Sequence, residues 1–212
     1  MIVVPTKAEA AFDEIRSRIL TGEIPPGSEL NQEQLASSLG LSITPVRESL
    51  RRLESEGFIL LDRGKRTLTV APLSRKEAQE LYRVRALLDP VAAELATHLM
   101  SPDEAQEVVS IAAGIRTPNP IARLTENRRF HRAIYSRCGN AVLVTILDSL
   151  WDRTDRYRFV AVIDTSHEAQ ADIEHDQIAQ ALLAGDAATV AHLMRHHVEV
   201  TLDTIEAHPL LE

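Results

Sequence analysis

Histidines are the residues of this sequence whose types and spacing most directly suggest chemistry, and all eight lie beyond position 97. Small or apolar residues flank His175 and His197 at helical spacing, so both side chains are predicted to face the interior of a helical bundle. His196 lies on a more polar face, which makes His197 the better candidate. Asn127 and His131 are four residues apart and therefore share one face of a helix.

Three inward histidines on three helices can converge in the core of a bundle and bind a divalent transition metal there. Imidazole ligands suit zinc, nickel, cobalt or manganese, and the geometry of the site decides among them. For each histidine taken alone, the alternative is an ordinary hydrogen-bonded core residue. Three histidines together are compatible with a metal site, and their spacing alone leaves both alternatives open.

A metal with neutral protein ligands and open positions attracts an anion. We therefore predict that a small carboxylate, an organic acid, acts as an effector at this site. Arg85 is a candidate partner for that carboxylate, because a guanidinium can donate two parallel hydrogen bonds to it. The alternative, that Arg85 belongs to a surface ion pair, stays open at this point.

A second group of residues, in the first third of the chain, is suited to double-stranded DNA. Ser42, Ile43 and Thr44 begin a predicted helix, and Arg47 follows one turn later. If this helix enters the major groove by its N-terminus, these side chains point toward base edges, and Arg47 can bind guanine through two hydrogen bonds.

Further basic residues are placed for contacts with the phosphate backbone. On the same helix these are Arg51 and Arg52, and in the predicted hairpin that follows they are Arg63, Lys65 and Arg66. The alternative for the three arginines at 47, 51 and 52 is a helix face that is simply solvated.

The elements that position the DNA-binding residues form a predicted winged helix-turn-helix with three helices and a β-hairpin. The helices are predicted over residues 8–21, 31–40 and 42–57, where Asn31 and Ser42 offer caps. Two β-favouring runs, 58–61 and 67–70, flank a basic tip and form the wing.

From residue 74 onward the periodicity is helical throughout, which predicts an all-α bundle of about six helices. We place the domain boundary after residue 73, giving a DNA-binding domain over 1–73 and an effector-binding and dimerisation domain over 74–212. A long first helix, 75–99, is expected to bend at Pro90, where a backbone hydrogen bond is lost. The others are predicted from about 101 to 114 and over 120–137, 141–160, 167–184 and 187–206.

Composition is that of an ordinary globular protein, with 212 residues, 44% hydrophobic content and a net charge of −8. This charge sits mostly in the second domain, since residues 1–73 carry −1 and residues 74–212 carry −7. No apolar run is long enough for a membrane span. With Cys138 as the only cysteine, we expect a soluble cytoplasmic protein without an internal disulfide.

The segment from Leu30 to Ala71, LNQEQLASSLGLSITPVRESLRRLESEGFILLDRGKRTLTVA, resembles the winged helix of the GntR superfamily. The resemblance implies that Ser42, Thr44 and Arg47 contact operator DNA and that Gly64 lets the wing approach it closely. Ile43 stands where many members carry an arginine, so the operator sequence cannot be transferred.

Four later segments, LYRVRALLDPVAAELA, FHRAIYSRCGN, EHDQIAQALLAGD and HLMRHHV, resemble the FCD ligand-sensing domain of the FadR subgroup. This resemblance implies a homodimer and a metal held by an acidic residue and three histidines, which here are Asn127, His131, His175 and His197. Asn127 departs from the usual aspartate, and its amide oxygen would bring no charge to the metal.

Two other functions remain open from the sequence. One is a regulator that responds to the metal without an organic effector. The other is a metal-dependent phosphohydrolase, because His131 together with His175 and Asp176 resembles the H…HD pattern of helical phosphohydrolases.

Overall fold

A computed structural model of the chain describes residues 5–62, 64, 67–209 and 211, without the side chains of Thr165 and Ser166. The described residues form two compact units, Met1–Leu73 and Ser74–Glu212. Both the helical content and the small sheet agree with the predicted fold class, mainly α with an N-terminal winged helix-turn-helix.

The first unit contains three helices, α1 (Lys7–Leu20), α2 (Gln32–Leu39) and α3 (Ile43–Ser55), as predicted. The hairpin strands β2 (Ile59–Asp62) and β3 (Thr67–Val70) are also present. A further strand, β1 (Glu29–Leu30), pairs with β3 and gives an antiparallel sheet in the order β1-β3-β2. The sequence did not predict β1, because two residues are too few to show an alternating pattern.

The apolar faces of all these elements meet in one core. It contains Phe12 and Ile15 of α1, Leu35 of α2, Val46, Leu50 and Leu53 of α3, and Phe58, Ile59 and Val70 in and beside the sheet. Burying these side chains holds α3 against α1 and the sheet, which fixes the face of α3 that remains exposed.

The caps of α2 and α3 differ from each other. Asn31 accepts hydrogen bonds from the backbone N–H groups of Glu33 and Gln34, as expected of an N-cap. Ser42 occupies the predicted N-cap position of α3, but its side chain makes no cap hydrogen bond. The residue three positions later is Pro45, which has no N–H to donate. The Ser42 hydroxyl is therefore not used inside the helix.

The second unit consists of six helices in the part of the chain that the structure describes, and no strand occurs there. Their bounds are α4 (Arg75–Leu99), α5 (Pro102–Gly114), α6 (Pro120–Tyr135), α7 (Ala141–Val162), α8 (Thr165–Leu183) and α9 (Ala187–Ala207). The core between them includes Ala93, Val108, Phe130, Ile134, Leu147, Trp151, Ile178 and Met194. No helix among the described residues is long and apolar enough to cross a membrane.

The first helix of this unit, α4, remains one helix of 25 residues through Pro90. A proline leaves the carbonyl four residues earlier without its helical donor, and here that carbonyl belongs to Ala86. Arg195 of α9 donates to it instead, with an Nη1–O distance of 2.7 Å. The hydrogen bond lost at Pro90 is therefore replaced by one between helices.

Candidate DNA-binding and metal-binding sites

The outer face of α3 carries the residues predicted to meet base edges. Ser42, Thr44 and Arg47 are exposed and Ile43 is half-buried. Arg47 donates from Nε to Oε1 of Gln32 on α2, at 3.3 Å. Since the side chain of Arg47 is held at one point only and the Ser42 hydroxyl caps no N–H group, both have polar atoms available to a ligand.

The two arginines that follow on α3 differ in their surroundings. Arg51 is exposed. The guanidinium of Arg52 lies over the ring of Phe12, with Cζ 3.7 Å from the ring centroid, and donates to Glu56 at 2.8 Å. Arg52 thus joins α3 to α1, and we retain only Arg51 as a candidate for phosphate contacts.

The wing begins at Asp62, whose side chain accepts a hydrogen bond from the backbone N–H of Gly64 at 2.9 Å. This bond closes the turn locally. The other residues predicted at the tip, Arg63, Lys65 and Arg66, lie outside the described residues.

In the second unit, α6, α8 and α9 bring His131, His175 and His197 together. One nitrogen of each lies within 4.8 Å of the others, and all three side chains are buried. The Nε2 atoms of His131 and His175 are 3.3 Å apart. Ligands of a tetrahedral site with metal–nitrogen distances of about 2.0–2.1 Å would lie roughly 3.3–3.4 Å apart. The donor set and the measured spacing therefore fit a divalent metal.

Asn127 lies beside this cluster, on the turn of α6 that precedes His131. Its amide Nδ2 is 3.2 Å from Nε2 of His175. A rotation of the amide by a half-turn exchanges nitrogen and oxygen, so the same side chain can present its oxygen to a cation. The four residues predicted as ligands are thus brought to one place.

Burial lowers the pKa of His131 and His175 well below the ordinary value, and the neighbouring His197 adds to the effect. Both rings are consequently neutral near pH 7, which is the form that binds metals. Nδ1 of each ring has no hydrogen-bond partner among the residues that are described.

His197 is oriented by Glu174, which the sequence analysis missed. Nδ1 of His197 lies 2.7 Å from Oε2 of Glu174, and both side chains are buried. Burial alone would raise the pKa of Glu174, but the hydrogen bond and charge of His197 outweigh it and hold that pKa below its usual value. A carboxylate in this position fixes the tautomer of a ligating histidine and directs its other nitrogen. The only sequence signal was an acidic residue next to an inward histidine.

A cavity of about 40 Å³ opens beside His175 and His197. Its walls include three buried arginines, Arg85, Arg123 and Arg158, together with Trp151 and His167. The guanidinium carbons of Arg85 and Arg158 lie 3.9 Å and 4.2 Å from the centroid of the Trp151 ring. Burial lowers the pKa of Arg158 to about 10. The sequence analysis found Arg85 but missed Arg123 and Arg158, because only tertiary packing brings them to the cavity.

Arg85 is only 2% exposed and pairs with Asp89 one turn later, at 2.7 Å. The alternative of a surface ion pair is therefore wrong for Arg85. Asp176, in contrast, is 51% exposed and forms an ion pair with Arg116. It does not join the histidines, so the H…HD pattern lacks the acidic ligand that a phosphohydrolase would need.

Residues 80–200 match the sequence profile of the FCD domain, and residues 7–68 match the profile of bacterial regulatory proteins of the gntR family. The chain belongs to the GntR family and carries an FCD domain. As a GntR regulator it binds DNA and is not an enzyme, in agreement with the names of its relatives.

Two relatives from Escherichia coli illustrate this. The transcriptional regulator McbR is 28% identical over 145 residues, 66% of this chain and 65% of McbR. The transcriptional repressor GlaR is 26% identical over 205 residues, 91% of this chain and 92% of GlaR. The solved structure of McbR/YncC has a TM-score of 0.77 at 22% identity and covers 95% of this chain and 98% of that one, which shows the shared fold.

The buried histidines of this FCD domain predict a specific pH dependence. Below pH 6.5, the ordinary pKa of histidine, His131 and His175 bind protons in the unfolded chain. In the folded protein their lowered pKa keeps both rings neutral. The free energy of unfolding of the metal-free protein should then decrease as the pH falls, by up to about 1.4 kcal/mol per pH unit for each histidine. Urea denaturation followed by the fluorescence of Trp151 measures this.

The variant His131→Asn is expected to reduce that slope by the contribution of one histidine. His196→Asn replaces an exposed histidine of α9 and serves as the control with an unchanged slope. A slope in His131→Asn equal to that of the wild type would contradict the assignment.

Proposed function

We propose that this GntR regulator is a homodimer whose affinity for operator DNA is set by a small organic acid bound beside a divalent metal in the FCD domain. The observation that carries the proposal is the cluster of three buried histidines next to a cavity with arginine walls. In the cell we expect it to act in the cytoplasm, where its DNA lies.

For DNA binding, Ser42, Ile43, Thr44 and Arg47 are the candidates for base edges, and Arg51 is the candidate for a phosphate. The support comes from α3, whose apolar face is buried in the core while Arg47 and Arg51 are exposed. For the wing, Arg63, Gly64 and Lys65 remain the proposed contacts with DNA.

For the metal, the proposed ligands are His131, His175, His197 and the amide oxygen of Asn127. Glu174 would hold His197 in place. The support is the lowered pKa of His131 and His175, which keeps both rings neutral, and the spacing of their nitrogens. When bound, the metal would supply a positive centre for an anion. A solved structure that resembles this fold is described as a metal-free FCD domain, with a TM-score of 0.53 and 15% identity over 64% of this chain and 95% of that one.

For the effector, the proposed partner of its carboxylate is Arg85, which lines the cavity. The alternative is a regulator that senses the metal alone. Titrating metal-loaded protein with organic acids distinguishes the two, because a pure metal sensor would change its DNA affinity with metal and with no acid.

The first turn of α4 contacts two helices that line the cavity, α7 and α9. Tyr157 of α7 donates to Glu77 at 2.7 Å and accepts from the backbone N–H of Ser74 at 3.3 Å. Arg75 donates to the carbonyl of Glu206 at the end of α9. Because α7 and α9 also line the cavity, a ligand that changes their spacing acts on the residues that follow position 73.

For the dimer, the proposed interface is the outer face of α4. Its apolar residues Val84, Leu87, Val91 and Leu95 are 39% to 61% exposed. A row of large apolar side chains on a surface helix favours association. Arg83 and Glu94 are exposed near opposite ends of the row, so antiparallel pairing of two copies brings opposite charges together.

Replacing Arg47 tests the DNA-binding surface. Arg47→Ala should weaken operator binding by roughly 1–3 kcal/mol and relax the base preference, because a contact with a base edge is lost. Arg51→Ala should weaken binding about equally for all sequences and lower the salt dependence. Fluorescence anisotropy with the protein's own promoter region and a scrambled duplex measures both. Unchanged operator affinity in Arg47→Ala would show that α3 is not the reading helix.

Removing the carboxylate behind His197 tests the metal site. Glu174→Gln should lower metal affinity by roughly 10- to 100-fold, because His197 loses the group that orients it. His131→Ala combined with His175→Ala should abolish binding. Elemental analysis and chelator competition measure both, with Glu199→Gln on α9 as the control. Stoichiometric metal in the double variant would refute the ligand set.

A charge on the outer face of α4 tests the dimer. Leu87→Glu should convert the protein to a monomer, since two carboxylates would be forced into one apolar interface. Ile173→Glu, at a residue of α8 that is 51% exposed, is the matched control and should stay dimeric. Sedimentation velocity gives the masses. A dimer that survives Leu87→Glu, or a monomeric wild type, would eliminate this interface.

A further inference from the structure

Gln32 is the first residue of α2, and the sequence analysis gave it no role. Its side chain is half-buried and contacts Arg47 of α3, which is exposed. The cap of α2 does not use this side chain, because Asn31 accepts the hydrogen bonds from the N–H groups of Glu33 and Gln34. The contact with Arg47 on the neighbouring helix is therefore the feature of Gln32 that calls for an explanation.

The contact between Gln32 and Arg47 has one possible assignment of donor and acceptor. Nε of Arg47 lies 3.3 Å from Oε1 of Gln32. A guanidinium has five N–H groups and no acceptor, so Arg47 must donate and the amide oxygen must accept. The four N–H groups on Nη1 and Nη2 of this exposed side chain have no partner among the described residues and remain available to a ligand.

The core fixes the spacing of the two helices that carry this contact. Both helices bury apolar side chains in the same cluster, namely Leu35 of α2 and Val46 and Leu50 of α3. A hydrogen bond between two helices of fixed spacing restricts the rotamers of the side chains that form it. Because a free arginine loses much rotamer entropy when it binds a ligand, holding Arg47 in advance reduces that cost.

Gln32 holds Arg47 without cancelling its charge. No carboxylate among the described residues forms an ion pair with Arg47, whereas Arg52 on the same helix pairs with Glu56. An amide is neutral, so the guanidinium of Arg47 keeps its full positive charge for DNA. Its Nη1 and Nη2 groups form a fork that matches the N7 and O6 acceptors of guanine in the major groove.

We propose that Gln32 is a positioning residue for the reading of DNA: by holding Nε of Arg47, it presents Nη1 and Nη2 together to the N7 and O6 atoms of a guanine. This inference rests on the proposed function, in which Arg47 contacts a base edge. It adds a residue outside α3 that determines how strictly the guanine is preferred.

Binding to the protein's own promoter region locates the base pair that Arg47 reads. Fluorescence anisotropy is measured with the full-length protein on a series of duplexes, in each of which one G·C pair is replaced by A·T. The replacement that weakens binding by the wild type but not by Arg47→Ala marks this pair. We expect it to weaken wild-type binding by roughly 5- to 100-fold, the range for an arginine that makes two hydrogen bonds to guanine.

Variants of Gln32 are then compared at the marked pair. Gln32→Ala should reduce the discrimination between G·C and A·T by roughly 2- to 10-fold, the net effect of one hydrogen bond. Gln32→Glu keeps an acceptor and should keep the discrimination, while its negative charge weakens binding to every duplex. Gln34→Ala, at an exposed glutamine of the same helix, is the matched control and should behave as the wild type. Thermal denaturation verifies that each variant is folded.

The double variant Gln32→Ala with Arg47→Ala separates positioning from a direct contact with DNA. If Gln32 acts through Arg47, the double variant binds every duplex as Arg47→Ala does. A further loss of affinity in the double variant would mean that Gln32 itself contacts DNA, and it would overturn the proposal.

Two other kinds of result also overturn it. Unchanged discrimination in Gln32→Ala, or its loss in Gln32→Glu, removes the positioning role and leaves the proposed contact of Arg47 with a base intact. A wild-type pattern in Arg47→Ala at every base pair refutes that contact itself, and this inference with it.

Discussion

The hydrogen bond between Glu174 and His197 is the interaction on which the arrangement of the metal-binding cluster depends. His131 and His175 are neutral rings whose Nδ1 atoms have no partner among the described residues, and their polar contacts are made through Nε2 within the cluster. His197 is different, because a buried carboxylate 2.7 Å away fixes its Nδ1 as a donor. Its other nitrogen is thereby directed away from Glu174 as a lone pair. This one buried hydrogen bond thus determines which nitrogen of His197 can face the other two histidines.

The buried ion pairs around the cavity are difficult to explain as contributions to the stability of the fold. Arg85 pairs with Asp89, Arg158 lies near Asp155 at 3.3 Å, and Arg123 pairs with Asp172. Buried ion pairs contribute little net stability, and apolar residues of similar size often do as well or better. Because an aspartate already lies beside each arginine, these pairs do not by themselves require an anion, and the three guanidiniums are the donors that the proposed acid would contact.

Features that depend on neighbouring residues in the sequence were predicted well, whereas features that depend on contacts between distant residues were not. Helical periodicity predicted every helix of the FCD domain to within a few residues, because that signal is local. The inward positions of His131, His175 and His197 followed from the same signal. Arg123 and Arg158 were missed, since contacts between helices bring them to the cavity and leave no pattern in the sequence. Glu174 was missed as well, because an acidic residue beside an inward histidine is a weak signal until the contact with His197 is seen. At Ser42 the cap position was predicted correctly, while the side-chain bond is absent, and Pro45 three residues later offers no N–H for it.

Continuity of α4 links the features that the proposed function needs. Because Arg195 supplies the hydrogen bond that Pro90 cannot make, the helix is unbroken from Arg75 to Leu99. Its inner face carries Arg85 on the cavity wall, its outer face carries Leu87, and its first turn is held by Tyr157. Residues on one unbroken helix move together. Under the proposed function, a ligand that contacts Arg85 would therefore act on the helix that also carries the outer apolar face and directly follows position 73.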